Sequence, residues 1–245
     1  MRIDEDLFLV GSGNFGISHP TDCNVYLIDA GDSYLLVDAG SVVEPQRLLD
    51  NIQREGIPRK RIEHLVLTHA HWDHAGGCAA LVRALSCTVC AHPLSLSLLE
   101  KTAAGGQSDG GVKVGLVIED GMSLRVGNKE LHFIHSPGHS PDGVCIRVRL
   151  ACGVGLMCGD TVLANGRIGV ISRRTSLEEY AHTIESLNQI RPDALFPGHG
   201  VFTVSQGHVH LELALRLVQS NWHDVTAGPT PFNPSWWRNH LQGQG

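Results

Sequence analysis

Residues 68–77 read THAHWDHAGG and bring three histidines and one aspartate into six consecutive positions. These four residues are His69, His71, Asp73 and His74. An apolar run precedes them and an apolar-periodic helix is expected after them, so they should lie on a strand-to-helix turn. Imidazole nitrogens and carboxylate oxygens are ligands that suit zinc, iron or manganese. Four such ligands exceed what one tetrahedral ion accepts beside an open position, so two ions can bind if further ligands come from elsewhere.

Three further candidate ligands each follow a short apolar run that predicts a β-strand. His139 follows residues 130–135, Asp160 follows residues 154–158, and His199 follows residues 194–196. A glycine beside each of them allows the backbone to turn sharply after the strand. Because strand ends at one rim of a sheet point into one space, we expect these side chains to meet those of the THAHWDH turn.

The order of these residues resembles that of the metallo-β-lactamase-fold hydrolases, in which HxHxDH precedes a distant His, an Asp and a last His. All seven positions are filled: His69, His71, Asp73, His74, His139, Asp160 and His199. The similarity extends over residues 20–205. It implies an α+β fold, a four-layer αββα sandwich, with the metal site at one edge between the two sheets.

The resemblance also implies how the ligands divide between two divalent ions, zinc in the first place, with iron or manganese as alternatives. One ion would be held by His69, His71 and His139, and the second by Asp73, His74 and His199. Asp160 would bridge both ions beside a shared hydroxide. Asp73 would in addition orient the attacking hydroxide, which makes it the candidate catalytic residue.

The function implied is a dinuclear metal-dependent hydrolase that cleaves an ester, thioester or lactone bond of a small molecule through a metal-bridging hydroxide. The THAHWDHAGG segment, with Trp72, is most similar to the glyoxalase II branch of thioesterases. Lactonases of the superfamily share the seven ligands but carry Tyr where this chain has Leu163. Two alternatives stay open: a mononuclear iron oxidoreductase of the persulfide dioxygenase kind, and a metal-stabilised binding protein without turnover.

Composition narrows the classes of protein to which the chain can belong. Its 245 residues are 42% hydrophobic and 18% charged, which predicts a folded chain rather than a disordered one. The net charge of −6, without a Lys/Arg cluster, argues against a nucleic-acid partner. No run reaches the roughly 18–20 apolar residues of a membrane span. The acidic N-terminus and seven scattered cysteines predict a cytoplasmic protein with reduced thiols, acting on a small molecule and possible as a homodimer.

Periodicity predicts one domain over residues 1–245, with its core at 20–205 and a C-terminal helix and tail at 206–245. The predicted strands are 7–10, 25–28, 34–38, 62–67, 88–91, 123–126, 130–135, 144–148, 154–158 and 194–196. The predicted helices are 44–54, 75–85, 93–101, 177–190 and 209–220. Asp38, at a strand end, is expected to hydrogen-bond a ligand imidazole or to cap a turn. Residues 103–111 and the tail with Trp222, Trp236 and Trp237 are candidates for a lid and a pocket wall.

Overall fold

The computed structural model of the chain describes residues 1–101 and 112–220, which form two β-sheets with helices outside them. The first sheet has seven strands in chain order: β1 (Arg2–Asp4), β2 (Leu7–Gly11), β3 (Val25–Asp29), β4 (Tyr34–Val37), β5 (Ile62–Val66), β6 (Thr88–Ala91) and β7 (Leu116–Val117). The second has five strands: β8 (Ser123–Val126), β9 (Lys129–His135), β10 (Val144–Leu150), β11 (Gly153–Gly159) and β12 (Ala194–Pro197). Their spatial order is β12-β11-β10-β9-β8.

Six α-helices connect and cover these strands in the described part of the chain. They are α1 (Pro45–Arg54), α2 (Trp72–Ala75), α3 (Cys78–Leu85), α4 (Leu96–Lys101), α5 (Leu177–Asn188) and α6 (Gly207–Gln219). The residues at the first positions of α1 and α5 explain why these helices begin there. Pro45 stands at the beginning of α1, where its missing N–H costs nothing. Ser176 and Glu179 form a capping box at the start of α5, as their spacing predicts.

Three apolar clusters show how the layers stack. Between the sheets, the side chains of Tyr26, Phe133 and Phe196 are almost wholly buried. The outer face of the first sheet packs on α1 and α3, whose apolar faces include Leu48 and Leu81. The outer face of the second sheet packs on α5 and α6 through residues such as Tyr180, Ile184 and Leu211. The order of layers is therefore helix, sheet, sheet, helix, which confirms the expected αββα sandwich.

The strand predictions are confirmed, each with ends within two residues of the observed ones. Consecutive strands pair as antiparallel hairpins at β3 with β4 and at β8 with β9. Two edge strands, β1 and β7, were not predicted. They have three and two residues, which are too few to show an alternating pattern in the sequence.

The prediction of one helix over residues 75–85 is wrong at its start. The segment divides into α2 and α3 at Gly76 and Gly77. A Cβ on Gly77 would lie 2.2 Å from the carbonyl oxygen of Ala39, and one on Gly76 would lie 2.7 Å from the amide nitrogen of Val42. The backbone after β4 passes so close at these two positions that only glycine fits there.

Two smaller findings concern membranes and thiols. Within the described residues, no helix has both the length and the apolar character needed to cross a lipid bilayer. All seven cysteines are free thiols and six of them are buried, in keeping with the reduced state expected from the sequence.

Gly138 lies just before His139 and provides a test of the backbone geometry that supports the site. Its φ is +151°, and an added Cβ would lie 2.3 Å from the ring of Tyr180. Gly56 also has a positive φ, +72°, but nothing lies within 4 Å of its Cβ position. We expect Gly138→Ala to lower the free energy of unfolding by about 3 kcal/mol, from strain and overpacking, and Gly56→Ala by about 1 kcal/mol.

Urea unfolding of both variants in excess chelator measures these changes without a contribution from bound metal. Equal losses for the two variants would show that the contact with Tyr180 does not constrain the turn.

Candidate metal centre

The seven side chains singled out in the sequence come together at one rim of the sandwich. Four short connections, which follow β5, β9, β11 and β12, carry them. The backbone of these connections is tied across the two sheets, since the amide of Val144 donates to the carbonyl oxygen of Thr68 at 2.8 Å. The amide of Asn24 likewise donates to the carbonyl oxygen of Gly198 at 2.6 Å. The predicted convergence of strand ends is therefore what the structure shows.

A first cluster consists of three imidazoles. The Nδ1 atom of His71 lies 3.0 Å from Nε2 of His69 and 2.9 Å from Nε2 of His139. His69 is buried, His139 is partly buried and His71 is exposed, so the cluster faces solvent on one side. Three ring nitrogens at such distances are arranged as the ligands of a single ion would be.

A second cluster combines one carboxylate and two imidazoles. The Nε2 atom of His199 lies 3.1 Å from a carboxylate oxygen of Asp73 and 3.3 Å from Nε2 of His74. Asp73 lies in the first turn of α2, and His74 is fully buried beside it. These three residues form a second group of possible metal ligands next to the first.

Asp160 lies between the two clusters. One carboxylate oxygen lies 3.6 Å from Nε2 of His139 and 3.5 Å from Nε2 of His199, and the other lies 3.4 Å from Nε2 of His74. That second oxygen, Oδ1, is buried and has no hydrogen-bond partner in the structure. A buried carboxylate oxygen without a partner is costly unless a cation contacts it, so this atom fits a metal ligand.

Hydrogen bonds on the far sides of two rings determine which nitrogen faces the site. Nδ1 of His139 lies 2.8 Å from the carbonyl oxygen of Val170, and Nδ1 of His74 lies 2.8 Å from the carboxylate of Asp38. A carbonyl or carboxylate oxygen only accepts, so these Nδ1 atoms carry the hydrogen in both rings. The Nε2 atoms are left with lone pairs that point into the site, as metal ligation requires.

Asp38 is a buried acid that contacts His74 on the side of the ring away from the site. Its carboxylate accepts hydrogen bonds from the amide and the hydroxyl of Thr68, at 2.8 and 2.9 Å, in addition to that of His74. Its backbone φ is +65°, which is uncommon for a residue other than glycine. The expectation that Asp38 hydrogen-bonds a ligand imidazole is confirmed, and it also joins the end of β4 to the beginning of the ligand loop.

The first cluster is held in the neutral form. Burial, followed by the charge of His74, keeps the pKa of His69 well below its usual range, and burial lowers the pKa of His71 in the same direction. Burial also lowers the pKa of His139 to about 4. These imidazoles therefore keep their lone pairs at neutral pH and need not lose a proton before they bind a metal.

The carboxylates of the site are held in the ionised form. Burial opposes the charge on Asp160, but the nearby His74 and His199 outweigh it and keep its pKa well below the usual range. Asp73 shifts in the same direction because His199 and His74 outweigh its burial.

At His74 burial opposes protonation, yet the adjacent Cys23, Asp160 and Asp38 outweigh it and raise the pKa of the ring. The groups around the ring of His74 thus favour a positive charge at this place. A divalent cation supplies such a charge as well as a proton does.

Two glycines, Gly198 and Gly169, lie where any side chain would overlap the candidate ligands. A Cβ on Gly198 would lie 2.5 Å from both Asp160 Oδ1 and the His74 ring, and one on Gly169 would lie 2.7 Å from Nδ1 of His139. The loops that carry the last ligands can approach so closely only because glycine stands at these positions.

Four exposed apolar side chains belong to residues next to the candidate ligands, either in the chain or through a hydrogen bond of the backbone, and we call this group the mouth of the site. Trp72 stands within the ligand motif, Val170 is the residue whose carbonyl holds His139, and Val201 comes two positions after His199. Phe15 belongs to a loop that reaches the same place, since Asn14 accepts a hydrogen bond from the amide of Gly200. These four side chains are 43%, 77%, 57% and 42% exposed, in the order named.

Sequence reasoning did not single out Phe15 or Val170 as individual residues. Phe15 and Val170 are far in the chain from the ligand that each adjoins, and no periodic pattern marks them. The predicted lid at 103–111 and the tail with Trp222, Trp236 and Trp237 lie outside the described residues.

The fold and the site together define a class of protein: an αββα sandwich with clustered histidines and aspartates at the rim between its sheets. The family model of the metallo-beta-lactamase superfamily matches residues 19–199, so the chain belongs to that superfamily. The resemblance inferred from the seven residues is confirmed at this level. A fold of this superfamily implies divalent metal ions, and the clusters at the rim are groups that could bind them.

Among curated proteins, an atrochrysone carboxyl ACP thioesterase of Emericella nidulans is 28% identical over 196 residues, which cover 79% of this chain and 57% of that protein. A beta-lactamase-like protein 2 homolog of Drosophila melanogaster is 26% identical over 72% of this chain and 58% of its own length. The chain thus spans about half the length of the curated relatives it matches.

Among solved structures, a metallo-beta-lactamase of Cronobacter sakazakii aligns with a TM-score of 0.73 at 21% identity, covering 93% of each chain. A subclass B3 metallo-beta-lactamase of Bradyrhizobium japonicum aligns with a TM-score of 0.72 at 20% identity, covering 92% of this chain and 91% of that one. These similarities establish the shared fold, while the activity has to be argued from the site.

Asp38 allows a test of how the buried acid supports the second cluster. Asparagine tolerates a positive φ, so the Asp38→Asn variant should fold. The substitution replaces one carboxylate oxygen of Asp38 by an NH₂ group, which then faces a hydrogen-bond donor instead of accepting from it. We expect metal affinity at the His74 cluster to fall by about 10- to 100-fold, measured by competition with a chromophoric chelator. Asp32→Asn, at an exposed turn, is the matched control and should bind like wild type. Unchanged affinity in Asp38→Asn would show that the hydrogen bond to His74 does not matter for binding.

Proposed function

We propose that this protein is a dinuclear metal-dependent hydrolase that cleaves an acyl bond of a small molecule: a thioester in the first place, or an ester or lactone. In this proposal His69, His71 and His139 would hold one ion, Asp73, His74 and His199 would hold the second, and Asp160 would contribute to both. The observation that carries the proposal is Asp160, whose two carboxylate oxygens each lie within 3.6 Å of ligand nitrogens, one on the His139 side and the other beside His74. Zinc is the ion that best suits this nitrogen and oxygen ligand set.

The proposed reaction consumes one water molecule and releases an acid together with a thiol or an alcohol. When bound, two divalent ions lower the pKa of water toward neutrality and polarise the acyl oxygen. Asp73 is ionised and its side chain is partly open to solvent, so it can accept a hydrogen bond from the attacking water and orient it. His71 is exposed and His199 is partly exposed, so an acyl group could reach both clusters from solvent.

Two observations favour a thioester with an apolar acyl group. Curated relatives from Emericella nidulans and Aspergillus fumigatus carry the name thioesterase, although they share only 28% identity with this chain. The side chains at the mouth, including Phe15 and Val170, are apolar and exposed, as expected of a surface that binds an apolar group.

Replacing Asp73 tests the proposed mechanism. We expect Asp73→Ala to lower kcat/KM for acyl thioester hydrolysis by at least about 100-fold, because it removes a metal ligand and the group that orients the water. The exposed Asp32→Ala should retain wild-type activity. Activity is measured as thiol release, with ester, lactone and β-lactam substrates tested in parallel.

Metal analysis of the same preparations separates the proposal from its alternatives. Wild-type protein should contain two divalent ions per chain and lose its activity on treatment with chelator. One iron per chain, with oxygen uptake on a persulfide, would instead indicate an oxidoreductase. Full metal content without turnover on any acyl substrate would indicate a binding protein.

The apolar mouth gives a prediction about substrate preference. Removing an aromatic ring that covers an acyl chain forfeits about 1.5 kcal/mol of burial, or roughly tenfold in affinity. Phe15→Ala should therefore raise KM about tenfold for a decanoyl thioester of N-acetylcysteamine and leave that for the acetyl thioester nearly unchanged. Val43→Ala, which removes an equally exposed apolar side chain beside α1, is the control. If KM rose by the same factor for both substrates, the ring of Phe15 would not contact the acyl chain.

A further inference from the structure

A buried acid that is not one of the seven candidate ligands lies behind the first cluster. Asp142 comes three positions after His139, and only 3% of its surface is exposed. Its Oδ2 atom accepts a hydrogen bond from the amide of Ala70 at 2.8 Å and another from the hydroxyl of Ser95 at 2.7 Å. A buried carboxylate placed this deeply needs such partners, and both come from distant parts of the chain.

The three residues joined by this carboxylate belong to three different connections. Ala70 stands between His69 and His71 in the loop after β5, and Ser95 ends the short helical turn Pro93–Ser95 that follows β6. Asp142 itself lies in the connection between β9 and β10, in the second sheet. One side chain therefore ties the first sheet to the second at the rim where the ligands meet.

The connection that carries Asp142 is held from a second side. Nε2 of His135, at the end of β9, lies 2.8 Å from the carbonyl oxygen of Pro141. The ring of His135 stacks on that of His92, with centroids 4.3 Å apart and planes 6° from parallel. His92 in turn begins the helical turn that carries Ser95. The connection that carries Asp142 is thus held to the segment after β6 in two ways, by Asp142 itself and through the ring of His135.

We propose that Asp142 is a positioning residue that sets the spacing of the three nitrogens of the His69, His71 and His139 cluster. These imidazoles come from two loops that contain no helix or strand of their own, so their mutual distances depend on contacts between the loops. A hydrogen bond to the amide between the first two ligands, from the connection that carries the third, restricts both loops at once. This inference rests on the metal site assigned under the proposed function.

The proposal differs from a purely structural role in its selectivity. If Asp142 only stabilised the fold, its loss would weaken both metal clusters or neither. If it positions the first cluster, its loss weakens that cluster alone. Asp73 and His74 follow His71 in the chain but lie in helix α2, where Asp38 holds the ring of His74, and His199 comes from the connection after β12.

Two backgrounds isolate the clusters. His199→Ala leaves the first cluster intact, and His71→Ala leaves the second. In the His199→Ala background we expect Asp142→Ala to weaken Co²⁺ affinity by 10- to 100-fold, measured by competition with a chromophoric chelator. In the His71→Ala background the change should stay within threefold. Asp142→Asn can still accept the hydrogen bond from Ala70, so it should restore affinity to within a few-fold.

The visible absorption of bound Co²⁺ provides a second readout, since a looser first cluster changes its coordination geometry. Ser95→Ala keeps the Ala70 bond and should weaken the first cluster only a few-fold, which provides the test if Asp142→Ala does not fold. Equal losses in both backgrounds, or no loss in either, would overturn the role of Asp142. A wild-type protein that binds no Co²⁺ at all would overturn the proposed function and this inference with it.

Discussion

The central physical constraint in this structure is electrostatic: nitrogens and oxygens with lone pairs face one another at the rim of the sandwich. Nε2 of His74 and Nε2 of His199 lie 3.3 Å apart, and Asp160 presents a buried oxygen without a partner between the clusters. Such groups repel one another unless positive charge lies among them. A metal centre satisfies this constraint, and the rest of the architecture can be understood as the means of holding these groups together against their repulsion.

The fold meets this constraint with buried acids that lie outside the ligand set. Asp38 joins the end of β4 to Thr68 and His74, and Asp142 joins the ligand loop to the connection after β9. Each of the two is about 1–3% exposed and each accepts at least one backbone amide. Hydrogen bonds to buried charged groups are stronger than those between neutral groups, so a few of them can fix loops that lack regular structure. Glycines such as Gly198 then allow the backbone to approach the ligands without steric conflict.

Much of this arrangement could be predicted from the sequence, for a physical reason. The ligands follow apolar runs whose length and composition identify buried strands, and the ends of these strands are local features of the chain. The contribution of Asp38 could also be predicted, because it too stands at a strand end. Asp142 and Val170 could not, since neither directly follows a strand and their partners Ala70 and His139 lie 72 and 31 positions away in the chain. The close approach at Gly76 and Gly77 was missed for the same reason, because the backbone that requires glycine there comes from the segment after β4.

The residues around the mouth also explain how a fold shared with β-lactamases could serve a different substrate. Val170 contacts the candidate metal centre through its carbonyl oxygen, which accepts a hydrogen bond from His139, while its side chain is exposed to solvent. A substitution there changes the exposed surface beside the candidate site but keeps the backbone hydrogen bond to His139. Asp38 has no such freedom, because its contribution to the site is its carboxylate. Residues that hold the ligands by their side chains are therefore constrained by the centre, whereas those that hold them by their backbone are free to determine which molecule binds.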